Sequence, residues 1–180
     1  MLHKIENKNH CYGITHCDSK LYYCHGKEGS RQFDMKINNN VLLVSTDIGH
    51  FSHISCDGNK LIYISDTKIV SCCDMNEKQI WSFNDTLPLR SPRGVIVDND
   101  GFVFVIGKQT GKIVVISPDG NSAKGVYQIS SSRAICYDKN ENKILVCHTD
   151  RKASWCKIYV NVYILYKYVQ VINLRIAINK

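Results

Sequence analysis

The sequence lacks several features that mark common classes of protein. No stretch of the chain has the periodicity of an amphipathic helix, so we predict an all-β protein. Residues 1–10 are polar and have no apolar centre, so they do not resemble a signal peptide and we expect a cytoplasmic location. The cysteines number nine, and no two are separated by the two-residue gap of structural zinc sites. We therefore expect no metal or other cofactor, and cysteines that behave as small apolar strand residues in a reducing compartment.

What the sequence has instead is a repeat, and a regular period is typical of proteins built from stacked structural units. Similar apolar segments open at Ile14, Ile54, Val95 and Ile135, which are almost equally spaced along the chain. Each is followed by an aspartate, a short turn and a second apolar run, the runs being 21–24, 61–64, 102–106 and 144–147. Two further extended segments follow in the second unit (68–73 and 79–83) and in the third (112–116 and 125–129). Four short strands in each period are typical of one blade of a β-propeller.

We therefore predict a β-propeller built of four-stranded blades of about 40 residues. A polar segment at 1–10 precedes blades at about 11–50, 51–91, 92–131 and 132–156, and an atypical tail covers 157–180. Closed propellers contain about four to eight blades. The sequence supplies about four, so we expect part of a six-bladed ring.

The tail interrupts the repeat. From Trp155 to the last residue, Lys180, the sequence contains no Gly, Pro, Asp or Glu and is rich in Val, Ile and Tyr. A membrane span at 158–178 is not expected, because Lys167 near its centre would cost about 2.5–3.5 kcal/mol. We expect an incomplete product whose tail replaces the last blades, and self-association through an open propeller edge.

The aspartates of the repeat allow two interpretations. Asp18, Asp57, Asp98 and Asp138 could form a carboxylate ring for a cation. Each precedes a turn between two strands, however, and aspartate is favoured there because its side chain accepts hydrogen bonds from the turn. The second interpretation is preferred.

The charges separate by propeller rim. The rim formed by the loops before the first strand and after the second strand of each blade has ten basic and five acidic residues, whereas the opposite rim has a net charge of −3. A basic rim attracts polyanions or acidic protein surfaces. The candidate binding residues on it are Lys27, Arg31, Arg90, Arg93, Lys108, Lys112, Arg133 and Arg151. Arg93 and Arg133 each stand two residues before the apolar position that opens their repeat.

The third unit resembles a known family, the NHL-repeat propellers at the C-terminus of tripartite-motif proteins. It reads LRSPRGVIVD at 89–98, GFVFV at 101–105 and KIVVISPDG at 112–120. These segments are similar to the family pattern of Pro-x-Gly, an apolar strand ending in Asp, a Gly turn, and a strand closing on Ser-x-Asp-Gly. The resemblance covers 11–154.

The resemblance implies a recognition module rather than an enzyme. In the family, RING, B-box and coiled-coil segments give ubiquitin ligase activity, and the propeller recognises protein substrates or single-stranded RNA. This chain has no RING or B-box spacing of Cys and His, so it resembles only the recognition end. We expect noncatalytic binding of a protein substrate or adaptor, and of RNA as a further candidate, through the basic rim.

Two alternatives remain open. A six-bladed hydrolase or lyase would hold a metal in the central channel, but the first strands offer few ligands, with His16 the one imidazole among Thr15, Ser55, Ile96 and Cys136. The chain could also be an inactive partial product.

Overall fold

A computed structural model describes residues 11–44, 53–65, 69–84, 89–128, 132–148, 153–157, 160–161, 173–174 and 177–179. Apart from one 3₁₀ turn, Gly26–Glu28, the regular elements of this part of the chain are β-strands. Among the described residues, no helix is long and apolar enough to cross a membrane.

The strands form four sheets of four antiparallel strands, each of which we call a blade. Blade 1 contains β1 (Ile14–Cys17), β2 (Lys20–Cys24), β3 (Ser30–Asp34) and β4 (Asn39–Val44). Blade 2 contains β5 (Ile54–Cys56), β6 (Lys60–Ser65), β7 (Ile69–Asp74) and β8 (Gln79–Phe83). Blade 3 contains β9 (Pro92–Val97), β10 (Val103–Gly107), β11 (Lys112–Ile116) and β12 (Ala123–Gln128). Blade 4 contains β13 (Ser132–Asp138), β14 (Lys143–His148), β15 (Ala153–Lys157) and β18 (Ala177–Asn179).

The predicted β-propeller fold is confirmed, because the four-stranded blades follow one another along the chain with the predicted repeat. The first strands of consecutive blades, β1, β5, β9 and β13, lie beside one another on the inside. Successive blades therefore stack face to face, and three apolar clusters fill the three spaces between them. Because alternate side chains of a strand point to opposite faces, a strand of a middle blade supplies two of these clusters at once.

The tail takes part in blade 4. Between β15 and β18 the chain forms a pair of two-residue strands, β16 (Val160–Asn161) and β17 (Asn173–Leu174). β18 then returns to pair with β15, with Cys156 opposite Ile178. The outer strand of blade 4 therefore comes from the segment in which the repeat is no longer visible in the sequence.

The hairpin turns confirm the structural role of three repeat aspartates and correct that of the fourth. Oδ1 of Asp57, Asp98 and Asp138 accepts hydrogen bonds from two backbone N–H groups of the following turn, at 2.7–3.1 Å. The sequence suggested that Asp18 precedes its turn, and this expectation was wrong. Asp18 occupies the turn together with Ser19, with φ angles of 49° and 63°. Cys17 takes the position of the other aspartates, because it pairs with the first residue of the second strand.

Candidate binding site at the basic rim

The antiparallel order of each blade brings two of its loops to one rim. In blade 3 the loop before β9 and the loop between β10 and β11 are joined by two backbone hydrogen bonds. The N–H of Lys108 donates to Ser91 O at 3.0 Å, and the N–H of Gln109 donates to Arg90 O at 3.2 Å. The Gln128 side chain adds a third bond, from Nε2 to Thr110 O at 3.0 Å. These bonds fix the backbone that carries the basic side chains.

Four predicted basic residues gather on the rim of blade 3. Arg90, Lys108 and Lys112 are exposed, and Arg93 is partly buried. Ser91, between the two arginines, has a φ of 55°, an uncommon conformation for a residue other than glycine. The blade 3 rim is therefore a fixed loop pair that presents three exposed cationic side chains to solvent.

Blade 2 contributes a histidine to this rim. The N–H of Ile64 donates to His53 O at 3.0 Å, so His53 directly precedes β5, at the position that Gly94 takes in blade 3. Burial, and secondly the charge of Arg93, lowers the pKa of His53 below 6.5. The His53 imidazole is therefore neutral at pH 7, and it lies close enough to Arg93 for the guanidinium charge to lower its pKa.

Blade 1 forms a more neutral part of the rim. Glu28 of the 3₁₀ turn lies 3.1 Å from Nδ1 of the buried His25 and 3.3 Å from a guanidinium nitrogen of Arg31. Arg31 is thus partly neutralised within its own blade. The sequence predicted Arg31 as a binding residue equivalent to the others, but its contact with Glu28 makes it a weaker candidate than Arg90 or Lys108.

The remaining predicted residues are less fully described. Lys27 lies in the 3₁₀ turn of blade 1 and Arg133 at the start of β13, both on the rim, but the positions of their side chains are outside the description. Arg151 lies outside the described residues. Of the eight predicted basic residues, the structure therefore brings Arg90, Arg93, Lys108 and Lys112 together and leaves the side chains of these three undescribed.

The opposite rim is dominated by carboxylates that the turns already use. Asp34, Asp74 and Asp119 accept backbone N–H groups as the repeat aspartates do. Asp98 is 4% exposed, and burial raises the pKa of its carboxyl to about 6. In the described part of the chain, no three His, Cys, Asp or Glu side chains are grouped so that they could hold a metal ion.

The aromatic side chains lie mainly between the blades. Tyr22, Tyr23, Phe104 and Trp81 are buried. The other aromatic side chains whose exposure the structure describes are buried or partly buried. Base stacking on single-stranded nucleic acid needs accessible rings. The described rim offers cations without such rings.

Sequence reasoning missed His25, His53 and the loop-joining role of Ser91. The other repeats have no histidine at the positions equivalent to His25 and His53, so the repeat did not reveal them. The signal for Ser91 was the Pro92 that follows it, because Ser-Pro favours a turn. The pairing of that turn with the loop after β10 becomes visible only when the strands are placed side by side.

Comparison with known proteins supports the fold. No family model matches the chain, and no curated protein matches it in sequence. A chain in the crystal structure of a nidogen/laminin complex is similar over 81% of this chain and 59% of its own, with a TM-score of 0.69 and 17% identity. BamB from Moraxella catarrhalis is similar over 79% and 41% respectively, with a TM-score of 0.60 and 14% identity. The computationally designed Ika4 protein is similar over 83% and 92%, with a TM-score of 0.60 and 8% identity.

These likenesses show the β-propeller fold and nothing finer. The present chain spans 59% and 41% of the first two matched chains, less than two thirds of either. The activities and partners of those whole proteins are therefore not assigned to this chain.

Proposed function

We propose that this chain is a noncatalytic recognition module that binds an acidic surface of a protein partner through the basic rim of blade 3. The observation that carries the proposal is the paired loop, in which Arg90 and Lys108 are exposed on a backbone fixed by two interloop hydrogen bonds. A fixed backbone lowers the ordering cost of binding, and exposed cations of one sign steer an acidic partner to the surface.

A protein is preferred to RNA as the partner because of the aromatic residues. The basic rim would attract either polyanion. The described aromatic rings are buried or partly buried, however, so they are not presented for stacking with bases. The comparison also favours a protein, since one similar chain belongs to a nidogen/laminin complex.

The ubiquitin-ligase connection rests on the resemblance to tripartite-motif proteins. We propose it only for a longer chain in which this propeller would select the substrate and a RING segment would perform the transfer. A cytoplasmic location, inferred from the cysteines, belongs to the same proposal. In such a chain, ubiquitin transfer to a captured partner should depend on Arg90 and Lys108.

The binding test uses two polyanions of different backbone, polyglutamate and polyuridylate, across a salt series. We expect the wild-type chain to bind polyglutamate, and Arg90→Glu/Lys108→Glu to weaken binding by about tenfold or more. The matched control is Lys78→Glu/Lys124→Glu, which makes the same charge change at exposed residues near the opposite rim. The control should retain most of the binding.

Two results would count against this assignment. Equal losses in the rim and control variants would mean that net charge, rather than the paired loop, drives the association. Binding of polyuridylate with no binding of polyglutamate would move the proposal from a protein partner to a nucleic acid.

A further inference from the structure

Blades 1 and 2 meet through two cysteines that end their first strands. Cys17 is the last residue of β1, and Cys56 is the last residue of β5. Cys56 is 5% exposed and belongs to the apolar cluster between these blades, and Cys17, which is partly buried, packs against the same cluster. Both are free thiols, and they approach closely enough to form a hydrogen bond with each other. Two cysteines from different blades are therefore in contact across this junction.

The register shows that the fold itself brings these two positions together. Cys17 takes the position of the repeat aspartates, and Cys56 takes the position of Tyr137. At the junction of blades 3 and 4 the same positions hold Asp98 and Tyr137, and Tyr137 Oη accepts a hydrogen bond from the N–H of Asn99 at 3.3 Å. Of the three junctions between described blades, the one between blades 1 and 2 has a cysteine at both positions.

Turn formation does not explain the cysteine at position 17. In the other three blades an aspartate at this position accepts two backbone N–H groups of the following turn. A thiol is a weak acceptor and is a poor substitute in that role. A residue that departs from the local rule of its own repeat is expected mainly at strained or functional sites. Cys17 is therefore a candidate for chemistry that aspartate could not perform.

The two thiols differ in how easily a solute can reach them. Cys17 is partly exposed, whereas Cys56 is buried, and that burial raises the pKa of the Cys56 thiol to about 12. The N–H of Gly58 donates to Cys56 Sγ at 3.4 Å, which favours the thiolate and partly offsets the burial. A small oxidant would therefore meet Cys17 first. Cys56 would react afterwards, as a neighbour already held in place.

We propose that Cys17 and Cys56 are a redox modification site, at which a low-molecular-weight disulfide converts the two thiols into a reversible disulfide that joins blade 1 to blade 2. The Cys17 thiolate attacks one sulfur of the small disulfide, so that a bond to Cys17 forms and one small thiolate leaves. The Cys56 thiolate then attacks the Cys17 sulfur and displaces the second small thiolate. The two protein thiols lose two protons and two electrons, and the small disulfide gains them as two thiols.

The link changes the stability of the junction as well as its chemistry. It closes the chain between residues 17 and 56, a segment that contains β2, β3 and β4 of blade 1. Closing a long loop lowers the entropy of the unfolded chain and so favours the folded state. Thiol reductants reverse the link, so the junction of blades 1 and 2 is stronger under oxidising than under reducing conditions.

The test incubates the folded full chain with oxidised glutathione, alkylates the remaining thiols and maps the peptides by mass spectrometry without reduction. The main product should link the peptide of Cys17 to that of Cys56, and dithiothreitol should release it. Cys56→Ala should instead accumulate a glutathione adduct at Cys17, because the second thiol is missing. Cys17→Ser should leave Cys56 reduced, and it distinguishes Cys17 from Cys11, which lies on the same tryptic peptide.

Cys136→Ser is the matched control, because it removes another exposed thiol that lies in blade 4. This variant should form the link as the wild-type chain does. A link to Cys56 that persists in Cys17→Ser would overturn the proposal, as would a glutathione adduct at Cys17 of the wild-type chain with no link. Identical products from the folded chain and from the chain unfolded in urea would also overturn it, because the geometry of the junction would then have no part in the reaction.

Thermal unfolding tests the effect of the link on stability. The linked wild-type chain should melt at a temperature higher by about 5 °C or more than the reduced chain. Dithiothreitol should abolish the difference, and Cys17→Ser treated with oxidised glutathione should show none. Equal melting temperatures of the linked and reduced chains would overturn the conclusion that the disulfide strengthens the junction.

Discussion

Blades 2 and 3 are covered on both faces, whereas blades 1 and 4 each have one face with exposed apolar positions. In blade 3 every residue of β10 is buried, from Val103 to Gly107. In β1 the pattern alternates between exposed and partly buried residues, beginning with exposed Ile14. The two patterns arise from one repeat because a side chain in a stack of blades is buried by the neighbouring blade as well as by its own. The burial of a residue in this protein therefore depends more on the position of its blade in the stack than on the composition of that blade.

The largest test of this comparison truncates the same repeat position in a middle and an outer blade. Phe104 is 1% exposed and packs between blades 3 and 4, whereas Leu145, at the matched position, is partly buried on the face of blade 4 that points away from blade 3. Phe104→Ala should lower the free energy of unfolding by about 3–5 kcal/mol, because a buried cavity is left. Leu145→Ala should cost much less. Urea unfolding monitored by circular dichroism measures both.

Equal costs for the two variants would contradict the contrast between middle and outer blades. A large loss for Leu145→Ala alone would show the reverse order of burial.

A second test concerns the contact between blades 2 and 3. The indole Nε1 of Trp81 donates to Pro118 O at 3.1 Å, and the ring lies against Gly120. A Cβ at Gly120 would come within 2.5 Å of that ring, and the φ of 74° disfavours any side chain. Gly120→Ala should therefore cost about 1–3 kcal/mol through overpacking, in addition to backbone strain.

Gly58→Ala is the control for backbone strain alone. Gly58 has a φ of 109°, and a Cβ there would meet no atom within 4 Å. Thermal unfolding of the two variants should therefore show a larger fall in melting temperature for Gly120→Ala. A fall of the same size would mean that the Trp81 ring moves aside without cost.

The sequence was sufficient to predict the blades whose residues are buried on both faces. The 112–116 segment was predicted as a strand and matches β11, because an apolar run bounded by turn residues is distinctive. The 79–83 segment was also predicted and matches β8, although β8 is mostly exposed. β3 and β4 of blade 1 were not identified. β3 contains Arg31, Gln32 and Asp34 and so lacks an apolar run, although its register against β2 is regular.

The candidate site was predicted only in part. The division of charge between two rims follows from strand order, which the repeat reveals, and it placed Arg90 and Lys108 on one rim. The neutralisation of Arg31 by Glu28 depends on how the 3₁₀ turn folds, and no periodic pattern carries that information. The position of Asp18 was misjudged because it was aligned with Asp57, whereas the register of blade 1 puts Cys17 at that position and Asp18 one residue later, in the turn.

The smallest effect, and the one that depends on pH, concerns Asp98 and its counterpart in blade 4. Burial raises the pKa of Asp98 to about 6 in the folded protein from an ordinary value of 3.8. The native state therefore favours the protonated form, so this contribution to stability is fully present below about pH 4 and is lost as the pH rises through 6. Asp98→Asn retains an oxygen for the turn and has no charge to bury. It should be more stable than wild type by about 1 kcal/mol at pH 8, with the difference vanishing near pH 4.

Asp138→Asn makes the same exchange in blade 4, where the aspartate is partly buried and its turn has the same hydrogen bonds from the backbone. Urea midpoints of wild type and both variants between pH 4 and pH 8 separate the contribution of burial from that of the turn. A gain for Asp98→Asn that is independent of pH would show that the amide improves the turn itself, and the charge would then have no part in it. A gain that grows with pH at Asp98 alone would show that the neighbouring blade, by covering this aspartate, raises the free-energy cost of ionising it above that of an aspartate in an outer blade.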